Sequence, residues 1–269
     1  MCPVCRAPLR LNEKQWQCDN RHSYDKSKAG YVNLLLANQK NSHDPGDSKD
    51  MVNGRRVFLE GGNYYPLIQR LVDLIKSHAD SNTLSVYDAG CGEGYYLSQI
   101  VPMLIASNLS IKGCGHDVSR AAIEKAAKKH SSYNFAIGNS FEMPVVTASQ
   151  DVLLQVFAPM KDSEARRVLK SNGIWLRVSP APGHLSQIKD AIYQKPKAHE
   201  LSDTIPEGFI ELEKSHLLFN FNLDKASDRK ALLMMTPYYW RAKEKEVSVI
   251  VDDLTEFSAA FSVSVFKKS

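Results

Sequence analysis

The chain has 269 residues, 43% of them hydrophobic and 24% charged, the proportions of an ordinary globular protein with room for one α/β domain and a small attachment. No apolar run approaches the roughly 20 residues needed to cross a bilayer, and the N-terminus has no apolar signal core, so a cytoplasmic location is expected. A net charge of +4 allows a polyanionic partner without demanding one.

The first element is a metal knuckle. Cys2-Pro3-Val4-Cys5 is followed by twelve residues, then Cys18, three residues and His22. This spacing fits a tetrahedral zinc site, since each pair can place two donors on one turn. A disulfide does not suit the expected compartment. A redox Cys-x-x-Cys pair would not require Cys18 and His22 at finger spacing. Four protein ligands leave no open position, so the predicted zinc is structural. The apolar residues nearby (Leu9, Leu11, Trp16 and Tyr24) make too small a core to hold the module without metal. Arg6, Arg10, Arg21, Lys26 and Lys28 face only Glu13, Asp19 and Asp25, a tilt that a phosphate backbone can use and that a solvated surface explains equally.

Residues 36–56 are polar, rich in turn formers and read as a connector. Within it, Asp44-Pro45-Gly46-Asp47 and Arg55-Arg56 are candidates for substrate or domain contacts, with a solvated loop as the alternative. A helix is expected to begin in 56–65, ahead of Tyr64-Tyr65-Pro66.

The most informative stretch follows. Leu84, Val86 and Tyr87 read as a buried strand with Asp88 at its carboxyl end. Gly90, Gly92 and Gly94 then turn the backbone into a helix opening at Tyr95-Tyr96. The pattern is Gly-x-Gly-x-Gly with an acid two residues earlier, not the Gly-x-Gly-x-x-Gly that sets a helix dipole against a pyrophosphate. It resembles the first motif of the Rossmann-like methyltransferases, whose donor S-adenosylmethionine carries a cationic sulfonium and no phosphate. A second apolar run through Leu109 and Ile111 ends in Asp117, 23 positions past Gly94 and placed to accept ribose hydroxyls. Ser119 caps the next helix. A third strand spans 135–137, and Asn139 follows where such enzymes usually carry an adenine-contacting acid; an amide can still pair with adenine. A fourth strand covers 152–157, a helix continues through Gly173, and a fifth strand spans 174–178. Strands at 217–223 and 261–266 flank a helix at 225–235 and suit a closing antiparallel hairpin. Cys91 and Cys114 read as buried fillers. Alternating strands and helices predict a parallel, doubly wound sheet.

Read together, these segments resemble one family closely: the bacterial 23S ribosomal RNA (guanine-N1)-methyltransferases of the large subunit methyltransferase A type. The resemblance rests on the Cys-Pro-x-Cys start, Gly30-Tyr31-Val32-Asn33-Leu34-Leu35, Asp44-Pro45-Gly46-Asp47-Ser48 and Arg55-Arg56-x-Phe58-Leu59. It continues through Asp88 to Tyr96, Ala158-Pro159, Pro182-x-His184-Leu185, and Met235-Thr236-Pro237-Tyr238-x-Trp240-Arg241-Ala242. It implies a class I, Rossmann-like α/β methyltransferase sheet over 81–269, a connector and helix over 36–80, and a zinc-binding RNA-recognition module over 1–35. It implies a homodimer whose cleft takes a hairpin of 23S ribosomal RNA, with donor contacts at Tyr64, Gly92, Glu93 and His184. The strand-tip reading adds Asp88, Gly90 and Asp117. Cys2, Cys5, Cys18 and His22 are the metal ligands.

The implied reaction is an in-line methyl transfer to guanine N1, and no residue in the sequence presents itself as the base for the N1 proton. Gln155-Val156-Phe157-Ala158-Pro159 lacks the Asp-Pro-Pro-Tyr of exocyclic-amine methyltransferases. The Ala158 carbonyl is free to accept from a base edge. Phe157 is expected in the core, with stacking on an extruded guanine as its alternative. A small-molecule methyltransferase with a structural zinc, and an inactive RNA-binding zinc protein, are the competing readings.

Overall fold

The computed structural model describes residues 1–39, 45–193 and 204–269; Asp44 of the connector motif lies outside them. The N-terminal module is a three-stranded antiparallel sheet of β1 (Arg10–Asn12), β2 (Gln15–Gln17) and β3 (Ser23–Asp25). Leu11 is exposed, and Trp16 and Tyr24 are only half-buried, so this sheet has almost no apolar core of its own.

The next strand, β4 (Val32–Asn33), belongs to the main sheet, where it runs parallel to β7. The main sheet is completed by β5 (Thr83–Ala89), β6 (Ser110–Asp117), β7 (Asn134–Ile137), β8 (Gln150–Val156), β9 (Leu169–Pro180), β10 (Phe209–Asn222) and β11 (Glu256–Lys268). Its order is β10-β11-β9-β8-β5-β6-β7-β4. The strands from β4 to β9 are parallel, and β9, β11 and β10 pair antiparallel. The period-two alternation of the central strands explains the two-sided burial. Val86, Val152, Leu154, Ile174 and Leu176 join one core, while Tyr87, Leu153 and Trp175 join the core on the opposite face.

Seven helices matter for the site: α1 (Lys49–Glu60), α2 (Tyr65–His78), α3 (Tyr95–Ala106), α4 (Arg120–Lys129), α5 (Asp162–Val168), α6 (Ser186–Ile192) and α7 (Ala226–Met234). The Ser119 hydroxyl accepts from Ala122 N and starts α4 as expected. Two boundaries differ from the sequence reading. The first helix starts at Lys49, inside the supposed connector, because the Ser48 hydroxyl accepts from Met51 N and caps it. It stops at Gly61, and α2 follows as a separate helix. The helix expected to reach Gly173 ends at Val168, since the fully buried Leu169 is already extended and paired with Gln150. Among the described residues, no helix is long and apolar enough to cross a membrane.

Candidate functional site

The four predicted metal ligands converge. Cys2 and Cys5 lie on one turn, closed by Arg6 N donating to Cys2 O at 2.9 Å. Cys18 and His22 lie on a second, closed by Arg21 N donating to Cys18 O at 2.9 Å. Their donor atoms all fall within 4.8 Å of one another. Cys5 Sγ is 3.7 Å from Cys18 Sγ, and His22 Nδ1 is 3.6 Å from Cys2 Sγ and 3.4 Å from Cys18 Sγ. A zinc tetrahedron with metal–sulfur bonds of ~2.3 Å separates its donors by roughly 3.5–3.8 Å, so the thiols and imidazole fit that ion. All five cysteines are free thiols. The Tyr24 hydroxyl, 3.2 Å from Cys2 Sγ, supplies an outer-shell hydrogen bond of the kind that orients a ligand.

The module docks beside a cavity of the main domain. The Met1 ammonium donates to Pro144 O at 3.0 Å, and Arg6 and Gln39 both reach the Glu142 carboxylate.

That cavity, about 1060 Å³ in volume, opens at the carboxyl ends of the parallel strands, where ligands of doubly wound folds sit. The loop after β5 forms its floor. Gly90 N and Cys91 N both donate to His116 O at 2.9 Å, carrying the turn across to β6. Asp117 locks the turn, its carboxylate accepting from Gly92 N at 3.0 Å and from Ser119 N at 2.8 Å. All three glycines have positive φ, and two reasons for glycine are distinct. At Gly90 a Cβ would lie 2.4 Å from Ala158 Cβ, whereas at Gly92 it would meet only Arg55 Nη1 at 3.8 Å and stand in the cavity.

The wall is rich in acids. Glu93 is 5% exposed and neither carboxylate oxygen has a hydrogen-bond partner. Arg55, from α1, is ion-paired with Asp47. Burial pushes the Glu93 carboxyl up, and Arg55 partly counters this. Asp47, Glu93 and Asp117 against Arg55 leave this part of the wall negative, the arrangement that suits a ligand with a positive centre. The Tyr64 hydroxyl is another buried atom without a partner. Its ring stands among Phe58, Phe221 and Phe261 at centroid distances of 4.9, 6.1 and 5.0 Å. His184, in the turn after β9, accepts from Ala260 N at Nδ1 over 3.3 Å.

Of the predicted donor-binding residues, Tyr64, Gly90, Gly92, Glu93, Asp117 and His184 all line this one cavity, and Asp88 does not. Asp88 is 1% exposed with one carboxylate oxygen unpaired, and burial, then Asp117 and Glu93, push its pKa up to about 8. The sign of the consequence is fixed by linkage. Between the ordinary 3.8 and about 8 the folded chain holds a proton that the unfolded chain has released, so stability falls as pH rises through that window and levels off above it. Asp88→Asn is expected to flatten the difference. Urea unfolding at pH 5 and pH 8.5 should show the substitution raising stability at the higher pH, and no gain there would mean Asp88 is not a buried strained acid.

Sequence reasoning misplaced two residues. Phe157 is not in the core: it lines the cavity, is 41% exposed, and takes a left-handed φ of 57°. The Ala158 carbonyl is already engaged, accepting from Gln155 Nε2 at 2.6 Å, while Gln155 Oε1 accepts from Trp175 Nε1 at 3.1 Å. Asn139 does line the cavity, but its side-chain oxygen accepts from Phe141 N at 2.9 Å, leaving its NH₂ for a ligand.

Comparison with known proteins matches these two sites to two families. Residues 1–43 match the N-terminal zinc ribbon of RlmA, and residues 80–231, more than half of the chain, match a methyltransferase domain family. The chain is 29% identical over 259 residues to a 23S rRNA (guanine(748)-N(1))-methyltransferase of Streptomyces fradiae, covering 94% of this chain and 90% of that protein. It is 29% identical over 258 residues to YxjB of Bacillus subtilis strain 168, provisionally assigned as a 23S rRNA (guanine-N(1)-)-methyltransferase, covering 93% and 89%. Among solved structures, the fold is similar to a chain from the complex of the Haloferax volcanii Trm112 methyltransferase activator with a provisionally assigned methyltransferase. That likeness has a TM-score of 0.50 at 15% identity and covers 83% of this chain and 99% of that one. The methyltransferase domain implies S-adenosylmethionine as cofactor, and the ribbon implies structural zinc. The chain therefore belongs to the class I methyltransferase-domain family, in an RlmA-like form that adds a zinc ribbon at its N-terminus.

Proposed function

We propose that this protein methylates N1 of a guanine in a hairpin of 23S ribosomal RNA, acting in the cytoplasm as a homodimer. The reading is supported by the likeness to guanine-N1 methyltransferases over nearly the whole chain. The observation that carries it is the cavity at the glycine turn, whose acids include a buried, unpartnered Glu93. Residues 1–35 carry the RNA-recognition module and end in β4 of the main sheet, 36–80 form the connection, and 81–269 the catalytic domain. Cys2, Cys5, Cys18 and His22 hold the zinc.

S-adenosylmethionine, when bound, supplies an electrophilic methyl on a sulfonium. The residues that hold and orient it are those of the wall. Gly92 and Glu93 present backbone and carboxylate to its amino-acid end, Asp117 turns its spare lone pairs to the ribose, and the Tyr64 ring offers an aromatic face to the positive centre. His184 faces the carboxylate end. Asp88 lies behind the wall, where burial favours its protonated form, and does not touch the ligand. The turn, pinned by Asp117 and His116, keeps this geometry before binding, which is the main contribution a protein makes to a displacement of this kind.

Asp117→Ala is expected to weaken donor binding by about 1–3 kcal/mol. It should also loosen the turn, because Gly92 N and Ser119 N lose their acceptor. Calorimetric titration with S-adenosylmethionine measures the first effect, and unchanged affinity would remove Asp117 from the site. Nucleoside mass spectrometry of treated 23S RNA tests the activity itself: a gain of 1-methylguanosine is expected, and methyl on another position would replace the assignment.

A further inference from the structure

The loop between β8 and α5 carries two features that the donor site does not use. Phe157, at its start, holds a positive φ of 57°, a conformation costly for a bulky residue and kept only where surrounding structure enforces it. Phe157 N donating to Val178 O at 3.1 Å helps enforce it. The result is an aromatic ring 41% exposed inside a cavity. It is backed by His184 (centroids 6.2 Å apart, planes 23° from parallel) and by Phe261 at 5.4 Å. A ring supported from behind and strained toward open space is a platform for a flat ligand.

Lys161 lies four positions on, past Pro159, and is exposed on the same wall. The wall's other cation, Arg55, is held by Asp47. Lys161 has no ion-pair or hydrogen-bond partner for its ammonium among the described residues. Of the ionisable groups around it, Asp47, Glu93 and Asp117 sit on the donor side with Arg55, and Glu142, His184 and Tyr238 stand elsewhere on the wall. On its own helix, Glu164 is tied to Arg167 at 2.7 Å, and Asp162 lies in the first turn.

Guanine N1 is a weak nucleophile while protonated, and its anion spreads charge onto O6. We infer that the β8–α5 loop is the acceptor half of the site, Phe157 stacking the extruded guanine and Lys161 facing O6 to hold the charge that develops there. This rests on the guanine-N1 reading above. In the step, the N1 proton leaves to water, the pair on N1 forms the bond to the methyl carbon, and the methyl–sulfur bond breaks with its pair staying on sulfur. The products are 1-methylguanine, neutral S-adenosylhomocysteine and a proton. Lys161 acts as an electrostatic stabiliser, with no role as the base.

The test uses the full-length protein with a 23S RNA hairpin as probe, reading donor affinity by calorimetry, RNA affinity by fluorescence anisotropy, and rate against pH. Phe157→Ala is expected to weaken RNA binding about ten- to hundredfold with donor affinity kept, and Phe157→Tyr to restore it. Lys161→Met is expected to lower the rate at neutral pH by about a hundredfold and to move the rising limb of the profile to higher pH, with Lys161→Arg restoring both. A residue that merely supports the fold would leave the pH profile unmoved. Wild-type RNA affinity in Phe157→Ala, or a wild-type profile in Lys161→Met, overturns the role of that residue. Loss of donor affinity in either variant overturns the division of the cavity into two halves. A wild-type protein that puts no methyl on the hairpin overturns the underlying function and is recognised before any variant is made.

Discussion

Removing zinc with a strong chelator is expected to unfold the N-terminal module while leaving donor binding in the main domain intact. The reason is the imbalance of forces in the two parts. The three short strands of the module bury little apolar surface, with Leu11 exposed and Trp16 and Tyr24 only half-buried, so the metal–ligand bonds are its core. Structural zinc in comparable modules contributes on the order of 10–16 kcal/mol of apparent binding energy at neutral pH, more than enough to decide between folded and unfolded for a unit this small. The main sheet, by contrast, has its own two-faced core, including Trp175, Phe257, Phe261 and Phe266, all fully buried. Cys18→Ser should reproduce the effect of the chelator. Hydrogen exchange should show residues 1–27 losing protection, with metal analysis falling from one zinc per chain to none. S-adenosylmethionine affinity should hold while RNA affinity falls, since Arg6, Arg10 and Arg21 leave their places. Collapse of donor binding together with the module would show that the two parts do not fold separately. Survival of the module without metal would show that zinc is not its core.

The glycine turn gives the second large effect, as a contrast between neighbours. Gly90→Ala places a Cβ 2.4 Å from Ala158 Cβ at a φ of +74°, so left-handed strain of about 1–2 kcal/mol adds to an overpacking cost of about 1–3 kcal/mol. The fold is expected to lose stability measurably, and the displaced Ala158 carries the adjacent Phe157 with it. Gly92→Ala carries similar backbone strain at φ +55°, but its Cβ approaches nothing nearer than Arg55 Nη1 at 3.8 Å. Its methyl enters the space where the donor binds. Gly92→Ala should therefore cost the fold only about 1–2 kcal/mol and abolish donor binding. Thermal unfolding combined with calorimetry separates the two. If Gly92→Ala binds S-adenosylmethionine as well as the wild type does, the donor does not lie against this turn.

Much of the catalytic half can be read from the sequence because its signals are periodic and its turn chemistry is rigid. Leu84 to Asp88, the three glycines and the Ser119 cap each report a local backbone constraint, and the strands β5 to β9 follow in the expected order. The zinc ligands are legible for a similar reason: donor type and spacing specify a tetrahedron almost alone. Other features depend on tertiary contacts that no local pattern encodes. Helix α1 hides in a polar stretch because its few apolar residues, Val52, Phe58 and Leu59 among them, are outnumbered by polar ones and a single Ser48 cap marks its start. Phe157 looks like the last residue of a buried strand. Only the bond from its amide to Val178 O, together with its own left-handed φ, rotates the ring into the cavity. Asp117 reads as a ligand acid but also locks the glycine turn from a neighbouring strand. Asp88 shares the strand-tip position that makes it a candidate, yet its carboxyl stays behind the wall. Strand β4 falls inside the range inferred for the zinc module yet belongs to the main sheet, because two residues of extended chain complete the sheet edge beside β7.

The most direct measurement for the whole account is primer extension across 23S ribosomal RNA from cells lacking the corresponding methylation, before and after incubation with this protein and S-adenosylmethionine. A methyl on N1 blocks the pairing edge of guanine, so a new reverse-transcriptase stop at a single guanine in a hairpin is predicted, absent when the donor is withheld. Unchanged extension through the RNA, with donor binding intact, would contradict it.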